Sequence, residues 1–295
     1  MQRRQWRPLR YGPMFTFKPE EAPMMKPTCI LDGIYMIGDE FVTTIVVETE
    51  DGYLLFDCLF PGEKSWNIIK DGFEELGLDI TRIRHLIITH GHHDHYGCSK
   101  LLVDATGAKT YMNMIDYEIA INGKKGHLEV NIDQDIREGD VLDIGGLEIR
   151  CFNTPGHTDG SMSFLFDVYD EGTKHTAAIF GGAGCGHIPM ESIRQYIASA
   201  TRFGAIAYEA GADVVLSTHQ WLDGGKAKIQ AVNDCPSLAT PNPFVIGKEN
   251  VKRFHDGLVY LAYQSMEREI GKISKERVYD PDKKYLTVNN SVDNP

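Results

Sequence analysis

The chain has 295 residues, 42% of them hydrophobic and 24% charged, which is enough apolar material for a large core that needs no disulfide or metal staples. A formal net charge of -12 argues against a nucleic-acid partner, because phosphate neutralisation requires a basic face. No apolar run approaches the ~18 residues of a membrane span, and no signal-length apolar stretch follows the basic start MQRRQWRPLRYGPMFTF, so a cytoplasmic chain with no membrane partner is expected.

Residues 1–26 are rich in Pro, Arg and Met and lack a period, and read as an N-terminal arm. Residues 27–295 read as one catalytic domain. Cys29–Ile37, Thr43–Glu48 and Tyr53–Cys58 are β-branched or apolar runs separated by Asp-Gly and Gly-Asp turn signals, the pattern of an antiparallel meander. Trp66, Ile69, Phe73 and Leu76 fall on one helical face, and Gly77 is placed to cap that helix. Ile83–Thr89 is a short buried strand that runs directly into His90-Gly91-His92-His93-Asp94-His95. Helices are expected at Ser99–Ala105 and Ile115–Ile121. Strands are expected at Val141–Ile144, Leu147–Phe152, Ser161–Val168 and Thr176–Phe180. A glycine-rich loop (Gly181–Gly186) precedes a long helix over Glu191–Ala210. Asp213–Ser217 is a further strand, and Lys248–Lys272 reads as an amphipathic helix. Strand, helix, strand and helix recur in two rounds, which predicts an α/β architecture of two similar halves facing one site. Six scattered cysteines with no CxxC pair read mostly as buried thiols.

Four metal-ligating residues within six positions are hard to reconcile with an ordinary solvated loop. Imidazole and carboxylate together suit Zn²⁺ or a similar ion. His90 and His92 alternate by two, so an extended backbone can aim both at one metal, while Asp94 and His95 follow where a tightening turn serves a second. His93 is expected to point away. His157, in Thr154-Pro155-Gly156-His157-Thr158-Asp159-Gly160-Ser161, supplies a third ligand for His90 and His92. His219, in Ser217-Thr218-His219-Gln220-Trp221, completes the set for Asp94 and His95. Loops that follow strand ends are where a rigid scaffold aims side chains at one point. His85, His127, His175, His187 and His255 lack such context. Asp159, Thr158 and Ser161 are candidate supports for the imidazoles. Gln220, Trp221 and residues 124–127 are expected to wall the substrate site.

HGHHDH, TPGHTDGS and STHQ, in this order, resemble the metallo-β-lactamase superfamily over Pro27 to Glu269, most of the chain. The resemblance implies a four-layer αββα sandwich and two zinc ions at the strand ends. Many members carry a metal-bridging aspartate after the strand equivalent to His175–Phe180; here IFGGAGCG places Ala183 at that position, with Cys185 two residues later. This pattern is similar to the lactamase subclass with a His-His-His site and an Asp-His-His site. The implied function is zinc-dependent hydrolysis of a small-molecule substrate, a cyclic amide or ester, with Asp94 orienting the attacking water. The alternatives are thioester or phosphodiester hydrolysis on the same dinuclear site, or a zinc-stabilised binding module. The oligomeric state is not legible in the sequence.

Overall fold

The computed structural model describes residues 17–123, 127–185, 188–234, 241–279 and 286–288. Four strands open the first sheet: β1 (Thr28–Leu31), β2 (Ile34–Gly38), β3 (Thr43–Thr49) and β4 (Gly52–Phe56). The run Cys29–Ile37 is divided at the Asp32-Gly33 turn signal, where Gly33 takes a left-handed φ of 68° and lets the chain reverse. β5 (Ile83–Ile87), β6 (Lys109–Met112) and the two-residue β7 (Gln134–Asp135) extend the sheet in parallel, giving the order β1-β2-β3-β4-β5-β6-β7. Parallel neighbours need crossovers, and these are helical. They are α1 (Glu63–Glu75), α2 (His93–Tyr96) with α3 (Ser99–Thr106), and α4 (Met114–Ile121).

β8 (Val141–Ile144), β9 (Leu147–Asn153), β10 (Met162–Asp170), β11 (Thr173–Ile179) and β12 (Val214–Leu216) form the second sheet, in the order β12-β11-β10-β9-β8. α5 (Met190–Glu209) crosses from β11 to β12, which pair in parallel. α6 (Gln220–Asp223), α7 (Gly225–Asp234) and α8 (Lys248–Glu276) follow, then a short hairpin of β13 (Arg277–Tyr279) and β14 (Leu286–Val288).

Side-chain alternation along the strands makes the layers. Ile45, Val47, Leu54, Phe56 and Ile87 of the first sheet meet Ile149, Phe164, Phe166 and Leu216 of the second in one buried cluster, with Phe56 5.4 Å from Phe166. Residues one position along face outward. Val46, Leu55 and Leu86 pack on Ile69, Phe73 and Leu102 of α1 and α3, while Leu165, Ala178 and Val215 pack on Tyr196, Phe203 and Leu258 of α5 and α8. The result is the expected αββα sandwich.

Residues 23–25 of the N-terminal segment hydrogen-bond to the turn after β2, through Met25 N to Gly38 O and Glu40 N to Pro23 O. Residues 1–16 lie outside the described residues. No helix of the described residues is long and apolar enough to cross a membrane.

Candidate metal centre

Strand direction places the site. β4, β5 and β6 run parallel, so the loops that follow them leave one edge of the first sheet. β9 and β11 are both antiparallel to β10, and β12 is parallel to β11, so the loops after β9, β11 and β12 also leave a common edge. Met162 N to Thr89 O (3.0 Å) and Thr43 N to Thr218 O (2.8 Å) join the two edges.

All six sequence-predicted ligands gather there as two triads. His90, His92 and His157 form one, Asp94, His95 and His219 the other, and within each triad the ligand atoms lie within 4.8 Å of one another. His157 Nε2 is 2.8 Å from His92 Nδ1, and His95 Nε2 is 3.2 Å from His219 Nε2. Asp94 Oδ2 is 3.4 Å from His95 Nε2 and 3.6 Å from His219 Nε2.

The opposite nitrogen of four of the imidazoles is held, which fixes which atom faces inward. His90 Nδ1 pairs with Thr89 Oγ1 (3.0 Å), His95 Nδ1 with Asp57 Oδ2 (2.7 Å), His219 Nδ1 with Phe41 O (2.7 Å) and His157 Nδ1 with Gly184 O. His90 Nε2 is fully buried and has no hydrogen-bond partner among the described residues. A buried imidazole nitrogen left unpaired is costly unless something not a side chain satisfies it. That orphan, and facing nitrogens at hydrogen-bond distance, fit a cation held by each triad.

Burial, reinforced by neighbouring histidines, pushes the imidazolium forms of His90, His157 and His219 below the usual range and that of His92 to about 4. These four are therefore neutral, the form in which imidazole donates a lone pair. Burial also disfavours a charged His95, but the carboxylates of Asp94 and Asp57 outweigh it and raise its pKa to about 10 in the metal-free protein. For Asp94 burial acts upward, and the facing His95 and His219 reverse it, holding the carboxyl well below its ordinary range.

Two supports escaped the sequence reading. Asp57, at the end of β4, accepts from Thr89 N (2.8 Å), Thr89 Oγ1 (3.0 Å) and His95 Nδ1, and is fully buried. Its φ of 61° is left-handed, a conformation that costs a non-glycine residue energy and clusters at functional sites. Asp116, on α4, accepts from Gly91 N (2.6 Å), Gly160 N (2.7 Å) and Thr158 Oγ1 (2.5 Å). A carboxylate just past a buried apolar run was the available signal for Asp57; Asp116 had none.

Among the candidate supports, Thr158 and Ser161 are buried and share a hydrogen bond of 2.5 Å, whereas Asp159 is exposed. His93 belongs to neither triad, and its ring lies against Phe60 at 5.4 Å. Gly91 matters through close approach, since a Cβ there would stand 2.8 Å from Asp116 O.

Two rim expectations separate. Trp221 is half-buried with its ring 5.4 Å from that of His219, and reaches toward Gly184 beside His157. Gln220 is corrected: it is 1% exposed and its amide donates inward to Thr43 Oγ1 (2.8 Å) and Ser217 O (2.7 Å), so it braces the loop instead of lining a pocket. The helical turn of α6 sends adjacent side chains about 100° apart, so one faces the core when its neighbour faces the site. Residues 124–126 and His187 lie outside the described residues, and His127 is exposed.

Ala183 is buried, and its carbonyl accepts from Tyr196 Oη (2.5 Å). Cys185 is buried in the cluster beneath α8, its Sγ 4.0 Å from Ser265 Oγ.

Residues 37–170 match the family model described as the metallo-beta-lactamase superfamily. Among solved structures, a subclass B3 metallo-beta-lactamase of Bradyrhizobium japonicum superposes with a TM-score of 0.68 at 24% identity, covering 86% of this chain and 96% of that one. A metallo-beta-lactamase from Legionella gormanii gives 0.73 at 21%, covering 84% and 97%. At such identities the likeness is one of fold. In sequence, 120 residues are 34% identical to a hydroxyacylglutathione hydrolase of Rhodospirillum rubrum, spanning 39% of this chain and 40% of the relative. A Fuscovulum blasticum protein of the same name is 28% identical over 143 residues, 48% and 51% of the two lengths. The match thus spans about half or less of the length of these curated relatives.

Proposed function

Residues 37–170 match the family model of the metallo-beta-lactamase superfamily, and from that match we propose that this chain is a dinuclear zinc hydrolase opening a small cyclic amide or ester, a lactam or lactone, in the cytoplasm. The observation that carries this reading is the pairing of a His90–His92–His157 triad with an Asp94–His95–His219 triad, with alanine at the position looked to for a bridging carboxylate.

His90 Nε2, His92 Nδ1 and His157 Nε2 would hold one ion, and Asp94 Oδ2, His95 Nε2 and His219 Nε2 the other. When bound, the two ions supply charge that makes water acidic enough to attack near neutral pH and that polarises the scissile carbonyl. The side chains do the rest. Asp94 Oδ1, 3.9 Å from His93 Nδ1, orients the attacking water and accepts its proton. Asp57 keeps His95 Nε2 turned inward, and the Phe41 carbonyl does the same for His219. Trp221 offers an apolar face beside the second triad, against which the substrate ring is positioned.

A thioester is the second reading, favoured by the curated relatives named hydroxyacylglutathione hydrolases. Zinc-loaded protein is to be assayed on a chromogenic lactam, a chromogenic lactone and an acylglutathione thioester. The first reading requires turnover of the lactam or lactone, reduced at least ~10³-fold in His90→Ala, a loss of the size expected when a catalytic metal ligand is removed. Turnover of the thioester alone overturns it in favour of the second.

A further inference from the structure

Asp116 is fully buried on α4, 24 residues or more in sequence from any member of the first triad, yet it touches both loops that build that triad. Its Oδ2 accepts from Gly91 N, the peptide between His90 and His92, and from Thr158 Oγ1, the residue after His157. Its Oδ1 accepts from Gly160 N. The turn carrying His157 is closed beneath this grip by Gly156 N to Thr158 O (2.9 Å) and by Thr158 N to Ser161 Oγ (3.2 Å). Both loops present glycine where α4 comes close. A Cβ at Gly91 would stand 2.8 Å from Asp116 O, and one at Gly160 would stand 2.7 Å from Asp116 N. The second triad is held by other groups, Asp57 on His95 and Phe41 O on His219.

We propose that Asp116 is the positioning residue of the tri-histidine site alone: one carboxylate clamps the His90–His92 loop to the His157 loop and sets their separation. The inference rests on the dinuclear reading above. A buried carboxylate accepting three donors is a rigid tie, because each donor loses its partner if either loop moves. Asn at this position replaces one acceptor oxygen by a donor, so at least one of the three bonds is lost and two donors are set against each other. Groups that orient metal ligands typically change metal affinity by about 10–100-fold when removed.

The test isolates each triad. In full-length His219→Ala, the tri-histidine site remains; in His90→Ala, the Asp94–His95 side with His219 remains. Zinc affinity is measured by competition with a chromophoric chelator, with and without Asp116→Asn. The expected result is a weakening of about 10–100-fold in the His219→Ala background and a change under about threefold in the His90→Ala background. A merely structural role would move both affinities together, and equal weakening in the two backgrounds, or none in either, overturns the proposal. If Asp116→Asn does not fold, Thr158→Val removes one of the three bonds and must show the same asymmetry at smaller amplitude. If neither parent variant binds zinc, the dinuclear reading itself falls and this inference falls with it. If both parents bind and the asymmetry is missing, only the role of Asp116 is lost.

Discussion

Asp57 combines a left-handed backbone with complete burial and three accepted hydrogen bonds, so the chain holds an unfavourable local conformation to keep one carboxylate beneath His95. Asp57→Asn is expected to weaken zinc at the Asp94–His95–His219 side by about 10–100-fold, because the amide no longer fixes the imidazole as a carboxylate does. Chelator competition on His90→Ala with and without the substitution checks this, and an unchanged affinity contradicts it. Gln220 and Trp221 are neighbours with opposite duties. Gln220→Ala removes the amide donor from the buried Ser217 carbonyl and leaves the Thr43 hydroxyl only its bond to Thr218 O, and should cost about 1–3 kcal/mol of stability, read by urea unfolding. Trp221→Ala should instead raise KM about tenfold with little change in melting temperature, the size of effect expected from losing one aromatic contact surface. The candidate ligands at positions 90–95 stood out because five polar chelating side chains in one six-residue stretch have few other uses. Which neighbour of His219 turned inward was not legible, since adjacency on a helical turn does not state orientation.

At the scale of elements, α5 and α8 are fitted against each other at Gly204. A Cβ there would stand 2.7 Å from His255 Cβ, so Gly204→Ala should destabilise by about 1–3 kcal/mol by overpacking, despite alanine's better helix propensity. His255 is itself buried among Phe180, Phe203 and Phe254. Burial pushes its pKa down to about 4, although Nδ1 donates to Val251 O (2.9 Å). The unfolded chain takes up this proton near pH 6.5 and the folded chain only near 4, so stability falls as the pH drops between those values. The full difference is about 3 kcal/mol. His255→Leu in the metal-stripped protein should flatten that part of the profile, seen by denaturant unfolding at pH 7.5 and about 4.5; parallel profiles for the two proteins contradict it. Sequence periodicity found both helices, because each presents an apolar stripe. It could not show that α8 covers α5, because that pairing depends on matched surfaces far apart in the chain.

For the whole molecule, two sheets share one interior in which Phe164 packs 5.3 Å from Phe56 of the opposite sheet. Phe164→Ala should cost about 3–5 kcal/mol through the cavity it leaves, and it should also loosen metal binding, because the two triads draw ligands from loops of both sheets. The double round of strands and helices was readable from alternation and turn residues, whereas the clamps at Asp57 and Asp116 arise only when separate elements meet. The account turns on the two triads holding two ions side by side. X-ray absorption at the zinc edge on protein loaded with two equivalents measures this directly. The account predicts nitrogen and oxygen neighbours at about 2.0–2.1 Å with imidazole scattering, no sulfur shell, and a zinc–zinc distance of about 3.5–4 Å. A sulfur neighbour at about 2.3 Å, or saturation at one ion with no metal–metal scattering, would contradict it.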